Sequence, residues 1–405
     1  MSAAGRERSL VAALFVSGFA TFSQLFDAQA ILPSLARDLE ISSATAALAV
    51  SATTTGIAVS VLAWAWLSDR IGRTAVMRIS LVATTVSALV APLAPSLEVL
   101  IAMRGLTGIA LGGIQAVAMA LLVEVLPRHR VPPAAAVYIT GNTIGGVTGR
   151  LIAGPASELL HWRVGLLVVA SLGVIACVLF FVLLPRGIED RAARPITTGR
   201  ASMRAALGHV GHHLSRWSTV SIYVQGFLIM GAFTAVYNYL GFHLIREPFA
   251  VPAALASLFF LVYFVGTVSA RVAGELAARI PPWFVVMCGG VCIALAALPM
   301  QGQSIWVLLV GITLLTIGTF MAHPMSSTLS GLEADRGRAQ STALYQLSWL
   351  TGAAVWGWFG GVLYDRFGWA GVVGMSTALA LAAGGIAASR AWATRTDFSG
   401  EGSAA

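Results

Sequence analysis

The sequence predicts an all-α membrane protein of twelve transmembrane helices arranged as two related six-helix halves. Three observations carry this: a mean hydropathy of +0.83 with 10% charged residues over 405 residues, apolar runs of bilayer length, and an internal repeat. A helix needs about 20 apolar residues to cross a bilayer, so lipid is the solvent for most of this chain.

The runs fall at residues 10–32, 43–66, 75–94, 97–121, 133–157, 162–185, 217–240, 251–274, 283–300, 304–325, 339–362 and 370–390. Short segments between them hold nearly all the charge. Arg37, Arg163, Arg246 and Arg366 fall in loops of one face, whereas the other loop arginines lie on the opposite face with both chain ends. Arginine-rich loops mark the cytoplasmic side, so both termini are expected there. The net charge of +8 is then a topology signal, and no nucleic-acid partner is expected.

Within the Lys+Arg set every residue is arginine, which excludes a P-loop lysine or a Schiff-base lysine on this chain. No Gly-x-Ser-x-Gly or His-Glu-x-x-His pattern occurs and no large extramembrane domain is visible, so neither an embedded enzyme nor a solute sensor is expected. Ala28-Gln29-Ala30 mimics a signal-peptide cleavage site, but the run continues to Pro33 and eleven spans follow, so it reads as the first helix. Cys177, Cys288 and Cys292 lie inside spans, where a thiol is a small apolar side chain and no disulfide is expected.

The longest polar interruption, 186–216, divides the spans six and six. The expected domains are an N-terminal bundle at 1–185, a cytoplasmic linker at 186–216 with a short surface helix over 201–214, a C-terminal bundle at 217–395, and a disordered cytoplasmic tail at 396–405. Ala136, Tyr138, Gly145, Gly154 and Trp162 recur 207 residues later as Ala343, Tyr345, Gly352, Gly361 and Trp369. The stretch from Trp66 to Gly72 recurs in weaker form 209 residues later, from Glu275 to Pro281. Two similar bundles can rock against one another and open a solute site to either face in turn.

Between the second and third spans, Ala65-Trp66-Leu67-Ser68-Asp69-Arg70-Ile71-Gly72-Arg73 combines a turn glycine with charges of both signs. Asp69 suits the positive end of the third helix, Gly72 permits a tight turn, and Arg70 and Arg73 suit acids or lipid phosphates. In the fourth span, Arg104 lies within the membrane, with Gly108 one turn on for close helix approach. Asp27 is the acid placed well inside a span; it and Arg104 lie about 9 and 10 Å from the outer ends of their helices and could meet. Such a carboxylate either titrates in use or forms a permanent structural pair. The fifth span carries a small-residue stripe, Gly141, Gly145, Gly146 and Gly149, ending at Arg150 at a similar depth of about 10 Å.

The loop from Ala65 to Arg73 resembles the signature loop of the major facilitator superfamily, departing at Ala65 where the pattern has glycine. Arg104 with Gly108 resembles that superfamily's Arg-x-x-x-Gly motif, which the resemblance links to proton coupling. The stripe from Gly141 to Arg150 resembles the antiporter motif of drug:proton exporters, with Gly146 in place of proline and Arg150 in place of the last glycine. Together with Tyr237-Asn238-Tyr239-Leu240-Gly241 it resembles one group of bacterial transporters more narrowly.

The resemblance implies secondary active transport of a small solute by alternating access in the bacterial inner membrane, by a functional monomer coupled to protons. It assigns Arg104 to proton coupling, for which Asp27 at the same depth is the expected carboxylate, and Asp69, Arg70, Gly72 and Arg73 to a conformational latch. Efflux is the leading direction; uptake or exchange of a small organic anion bound by Arg104 and Arg150 is the runner-up. Arg150 could instead pair with Glu158 or snorkel to a head group. Gln29, Asn142, Gln225, Tyr237, Asn238 and Tyr345 are further cavity candidates; the two asparagines could bind solute or tie helices together. No cofactor and no metal are expected, and His209, His212 and His213 read as a solvated helix face. His323 reads as the neighbour of a Pro324 kink.

Overall fold

The computed structural model describes residues 3–185 and 208–401, and among these every regular element is helical. The first six helices are α1 (Ala3–Asp38), α2 (Ser43–Ile71), α3 (Arg73–Val90), α4 (Leu97–Val125), α5 (Val131–Leu159) and α6 (Trp162–Leu183). Then follow α7 (Trp217–Leu244), α8 (Tyr263–Ala277), α9 (Pro282–Leu295) and α10 (Ile305–Leu332). The last helical stretch, Arg338–Glu401, breaks at Gly368 (φ 63, ψ −155), and its arms at 338–367 and 369–401 are α11 and α12. These are the twelve spans expected, counted among the described residues.

Local chemistry sets the ends. Ser42 and Ser96 accept from the N–H groups of Thr45 and Val99 and so cap α2 and α4. Gly72, at φ 91, ends α2 and starts α3 within one residue, a backbone shape that favours glycine. The eighth span is less regular than its composition suggests: a single turn, Ala253–Ala256, and a 3-10 stretch, Ser257–Val262, precede α8.

Ten stretches are long and apolar enough to cross a membrane, one of them, Gln340–Ala393, holding two spans. α5 is absent from that set because Gly, Thr, Asn and Arg side chains dilute its apolar content. Val182 and Leu298 are 75% and 79% exposed, an arrangement stable against lipid and unfavourable against water. Inside the first half, Leu10, Leu14, Met77, Leu121 and Phe180 interdigitate from α1, α3, α4 and α6.

Two compact units result. One comprises α1 to α6 with the segment Val251–Phe260, and the other comprises α7 to α12. Residues 186–207, most of the expected linker, lie outside the described residues; of the helix expected over 201–214, residues 208–214 are described and helical. The expected tail differs too, since α12 continues to Glu401 by carrying on the backbone ladder of the last span.

Candidate functional site

The site of interest in the first unit is built where α1 meets α5. Gly141, Gly145 and Gly149 repeat every fourth residue and so share one face of α5. A Cβ on each would stand 2.3, 2.2 and 2.3 Å from the carbonyl oxygens of Phe15, Phe19 and Ser23 on α1. The backbones therefore touch, which fixes the register of α1 against α5. Gly108 does the same between α4 and α2, where a Cβ would lie 2.0 Å from the Thr53 carbonyl. Gly146 differs from the close-packing role expected of it: the nearest atom to its Cβ position is the Arg150 head, at 3.3 Å, and α1 comes no nearer than the Phe22 Cβ at 3.8 Å, an ordinary contact.

These contacts bring Asp27 of α1 to Arg104 of α4. Asp27 Oδ1 lies 2.9 Å from an Arg104 terminal nitrogen, and the two side chains are 3% and 2% exposed. The Arg104 guanidinium also donates to the carbonyls of Ala49 and Gln24, both at 3.2 Å, and Asp27 Oδ1 accepts from the Ala28 N–H at 2.7 Å. Backbone partners on both side chains offset part of the cost of burying such a pair.

Arg150 is fully buried. Its Nε donates to Gln29 Oε1 at 2.7 Å and a terminal nitrogen donates to the Gly146 carbonyl at 2.7 Å. The rings of Phe26 and Phe260 lie 4.5 and 4.9 Å from the guanidinium carbon. Snorkelling is thus replaced by internal capture. Glu158, the acid considered for Arg150, accepts from the Ala254 N–H instead. Asn142 packs its Oδ1 against Gly18 of α1, where a Cβ would come within 2.3 Å.

At the α2–α3 turn, Arg73 bridges Asp69 at 2.8 Å and Glu124 of α4 at 3.0 Å. Arg70 instead lies over the Trp66 ring at 3.3 Å. The turn therefore ties α2, α3 and α4 through one arginine.

In the second unit the polar candidates link helices. Tyr237 hydroxyl meets Thr316 Oγ1 at 2.8 Å, Asn238 donates to the Gly357 carbonyl at 3.4 Å, and Gln225 donates to the Ala383 carbonyl at 2.6 Å. Tyr345 hydroxyl contacts His323 Nδ1 at 2.7 Å and its ring stacks on the imidazole, so His323 is a bonded partner of α11 as well as a neighbour of Pro324. The internal repeat reappears in these contacts. Gly352 of α11 meets the Phe227 carbonyl of α7 with a Cβ distance of 2.1 Å, as Gly145 meets Phe19. Gly226 faces the Tyr345 ring as Gly18 faces that of Tyr138.

Sequence reading missed several partners. The histidine cluster is a partnered face rather than a merely solvated one: on its exposed side His212 contacts Asp335 at 3.0 Å and Arg216 contacts the same carboxylate at 2.6 Å, while His213 is buried against the Gly337 carbonyl. Asp335 lies 123 residues from His212, so no local spacing could reveal it. Among the described residues no group of three or more His, Cys, Asp or Glu side chains could hold a metal. Glu333, bonded to both Trp283 and Arg390, was likewise invisible in the sequence.

The profile of the Major Facilitator Superfamily matches residues 10–335. The uncharacterized MFS-type transporter YybF of Bacillus subtilis is 33% identical, covering 93% of this chain and 92% of its own. The inner membrane transport protein YnfM of Escherichia coli, whose group the α5 and α7 motifs resemble, is 32% identical over 89% of this chain and 85% of its own. Among solved structures, a bacterial homologue of the human lysosomal transporter Spinster superposes with a TM-score of 0.77 at 15% identity, covering 95% of this chain and 97% of its own. The nucleoside transporter NupG gives 0.75 at 13% identity, with 96% and 99% covered. A profile match over most of the chain, on a fold of twelve helices in two repeated halves, has one reading: this chain belongs to the major facilitator superfamily and is a multi-pass membrane transporter.

Proposed function

We propose that the chain is a proton-coupled secondary transporter that exports a small solute by alternating access, with Asp27 as proton carrier and Arg104 as its charge partner. The observation that carries this reading is the 2.9 Å ion pair between two side chains that are 3% and 2% exposed. A buried carboxylate beside a cation changes its proton affinity when the cation moves or a solute arrives, as coupling requires. The Ala49 and Gln24 carbonyls favour such a cycle, because they keep Arg104 hydrogen-bonded when Asp27 takes a proton.

Export rests on the α5 stripe, whose glycines lock that helix to the one bearing Asp27. Arg150 supports a second reading, exchange of a small organic anion, since two guanidiniums accompany one carboxylate in this part of the first unit. Gln29, Asn142, Gln225, Tyr237, Asn238 and Tyr345 are the cavity candidates, and a solute would reach them by exchanging with the partners they hold here. The transporter acts as a monomer in the bacterial inner membrane with both termini cytoplasmic, and Asp69, Arg70, Gly72 and Arg73 form its latch. In everted vesicles, an imposed proton gradient should drive solute accumulation by the native chain but not by Asp27→Asn. Equal accumulation by both would remove Asp27 from coupling, and loss of anion flux alone in Arg150→Glu would favour the second reading.

A further inference from the structure

The second unit carries a face that the proton reading leaves unexplained. On α8, the exposed residues Phe264, Val265, Val268 and Val272 share one side, as expected for a lipid-facing stripe. Tyr263, at about 100° per residue, points roughly opposite them, yet it is only half-buried. On α10, Trp306, Val307 and Val310 mark the lipid side. Phe320 lies on the flank of that helix and His323 on the far side, and both are half-buried as well. Tyr263 and His323 are thus partly accessible on surfaces directed away from lipid, with the Phe320 ring at the edge of that surface, 6.1 Å from Tyr263.

They are held by rings beneath them. Tyr263 lies 5.3 Å from Phe233 and 4.8 Å from Tyr237, both buried, and Phe320 lies 6.0 Å from Phe233. His323 stacks on buried Tyr345 at 5.6 Å. Gly266 of α8 makes room for Phe320, since a Cβ there would stand 2.7 Å from its ring. Charge is missing from the repeat-related positions: Asp27 and Arg150 of the first half correspond, at the offsets that relate the glycine contacts, to Ala235 and Gly357. A surface of ring faces and edges suits a flat π-system, because aromatic pairs gain by offset or edge contact beyond simple burial.

We infer that Tyr263, Phe320 and His323 form a recognition surface for an aromatic ring of the transported solute. This deepens the transport reading and rests on it, but is independent of whether protons are coupled. The test uses the purified full chain and two pairs of probes differing only in ring saturation: 1-naphthoate with its decahydro counterpart, and benzyltrimethylammonium with its cyclohexylmethyl counterpart. Binding is read by isothermal titration and by competition for flux in proteoliposomes.

The aromatic member of at least one pair should bind about three- to tenfold more tightly. Phe320→Leu and Tyr263→Leu should erase that preference, and Tyr263→Phe should keep it. Equal affinity within both pairs, or a preference unchanged in both leucine variants, overturns the inference. If a leucine variant fails to fold, the comparison within each pair on the native chain still decides. Ring preference without proton movement would sink the coupling reading alone, whereas proton movement without ring preference would sink only this one.

Discussion

The Arg104 guanidinium stays bonded to the carbonyls of Ala49 and Gln24 while it pairs with Asp27, so its own hydrogen bonding does not rest on that carboxylate alone. Asp27→Asn should therefore fold, keeping an acceptor for Arg104 while losing the titrating group. Arg104→Leu should instead leave a buried carboxylate without its cation, at a cost of about 3–5 kcal/mol. Thermal unfolding in detergent separates the two; equal and large losses would mean that Asp27 is chiefly structural.

Gly145→Ala should destabilise the first unit, since the new methyl would meet the Phe19 carbonyl at 2.2 Å. Gly352→Ala should do the same in the second unit against Phe227. Each should cost about 1–3 kcal/mol of overpacking. Gly374→Ala, with nothing within 4 Å of its Cβ position, should be neutral or gain up to about 1 kcal/mol of helix propensity. A midpoint series by differential scanning fluorimetry gives the sign of each.

Arg73 and Arg70 sit three residues apart but should respond differently to replacement. Arg73→Ala removes bonds to both Asp69 and Glu124 and should cost about 1.5–3 kcal/mol. Arg70→Ala removes an exposed contact with Trp66 and should cost about 1 kcal/mol or less. Similar losses would place Arg70 in a contact beyond the Trp66 ring.

How much of this was legible in the residues depended on range. The spans were readable because hydropathy acts locally, and the depth of Asp27 and Arg104 put them level because helical rise is constant. α5 was counted as an apolar run although its small and polar residues leave it outside the ten described stretches that qualify by length and apolar content alone. Partners brought together by packing were not readable: Glu124 reaches Arg73 across 51 residues, and Gln29 reaches Arg150 across 121. The irregular start of the eighth span was hidden because Ala253–Ala256 and Ser257–Val262 are as apolar as a regular helix.

Asp335 gives a pH prediction outside the membrane. Its carboxyl is held below the ordinary value of 3.8, chiefly by the hydrogen bond from His212 and also by the charge of Arg216. A folded-state value below the unfolded one means the contact stabilises above about pH 4 and is lost as pH falls through the depressed value. Amide exchange in residues 208–216 should therefore accelerate on acidification below that point, after correction for intrinsic exchange, and Asp335→Asn should flatten the response. An unchanged profile in the variant would assign the acid sensitivity elsewhere.

The central claim is that Asp27 carries the coupled proton, and proton movement triggered by solute addition to proteoliposomes tests it most directly. A pH-sensitive dye in the lumen, with a panel of cationic dyes, organic anions and sugars outside, should report a pH change for the transported class in the native chain and none in Asp27→Asn. Solute flux with no pH change, identical in the two proteins, would contradict the account and leave a facilitator.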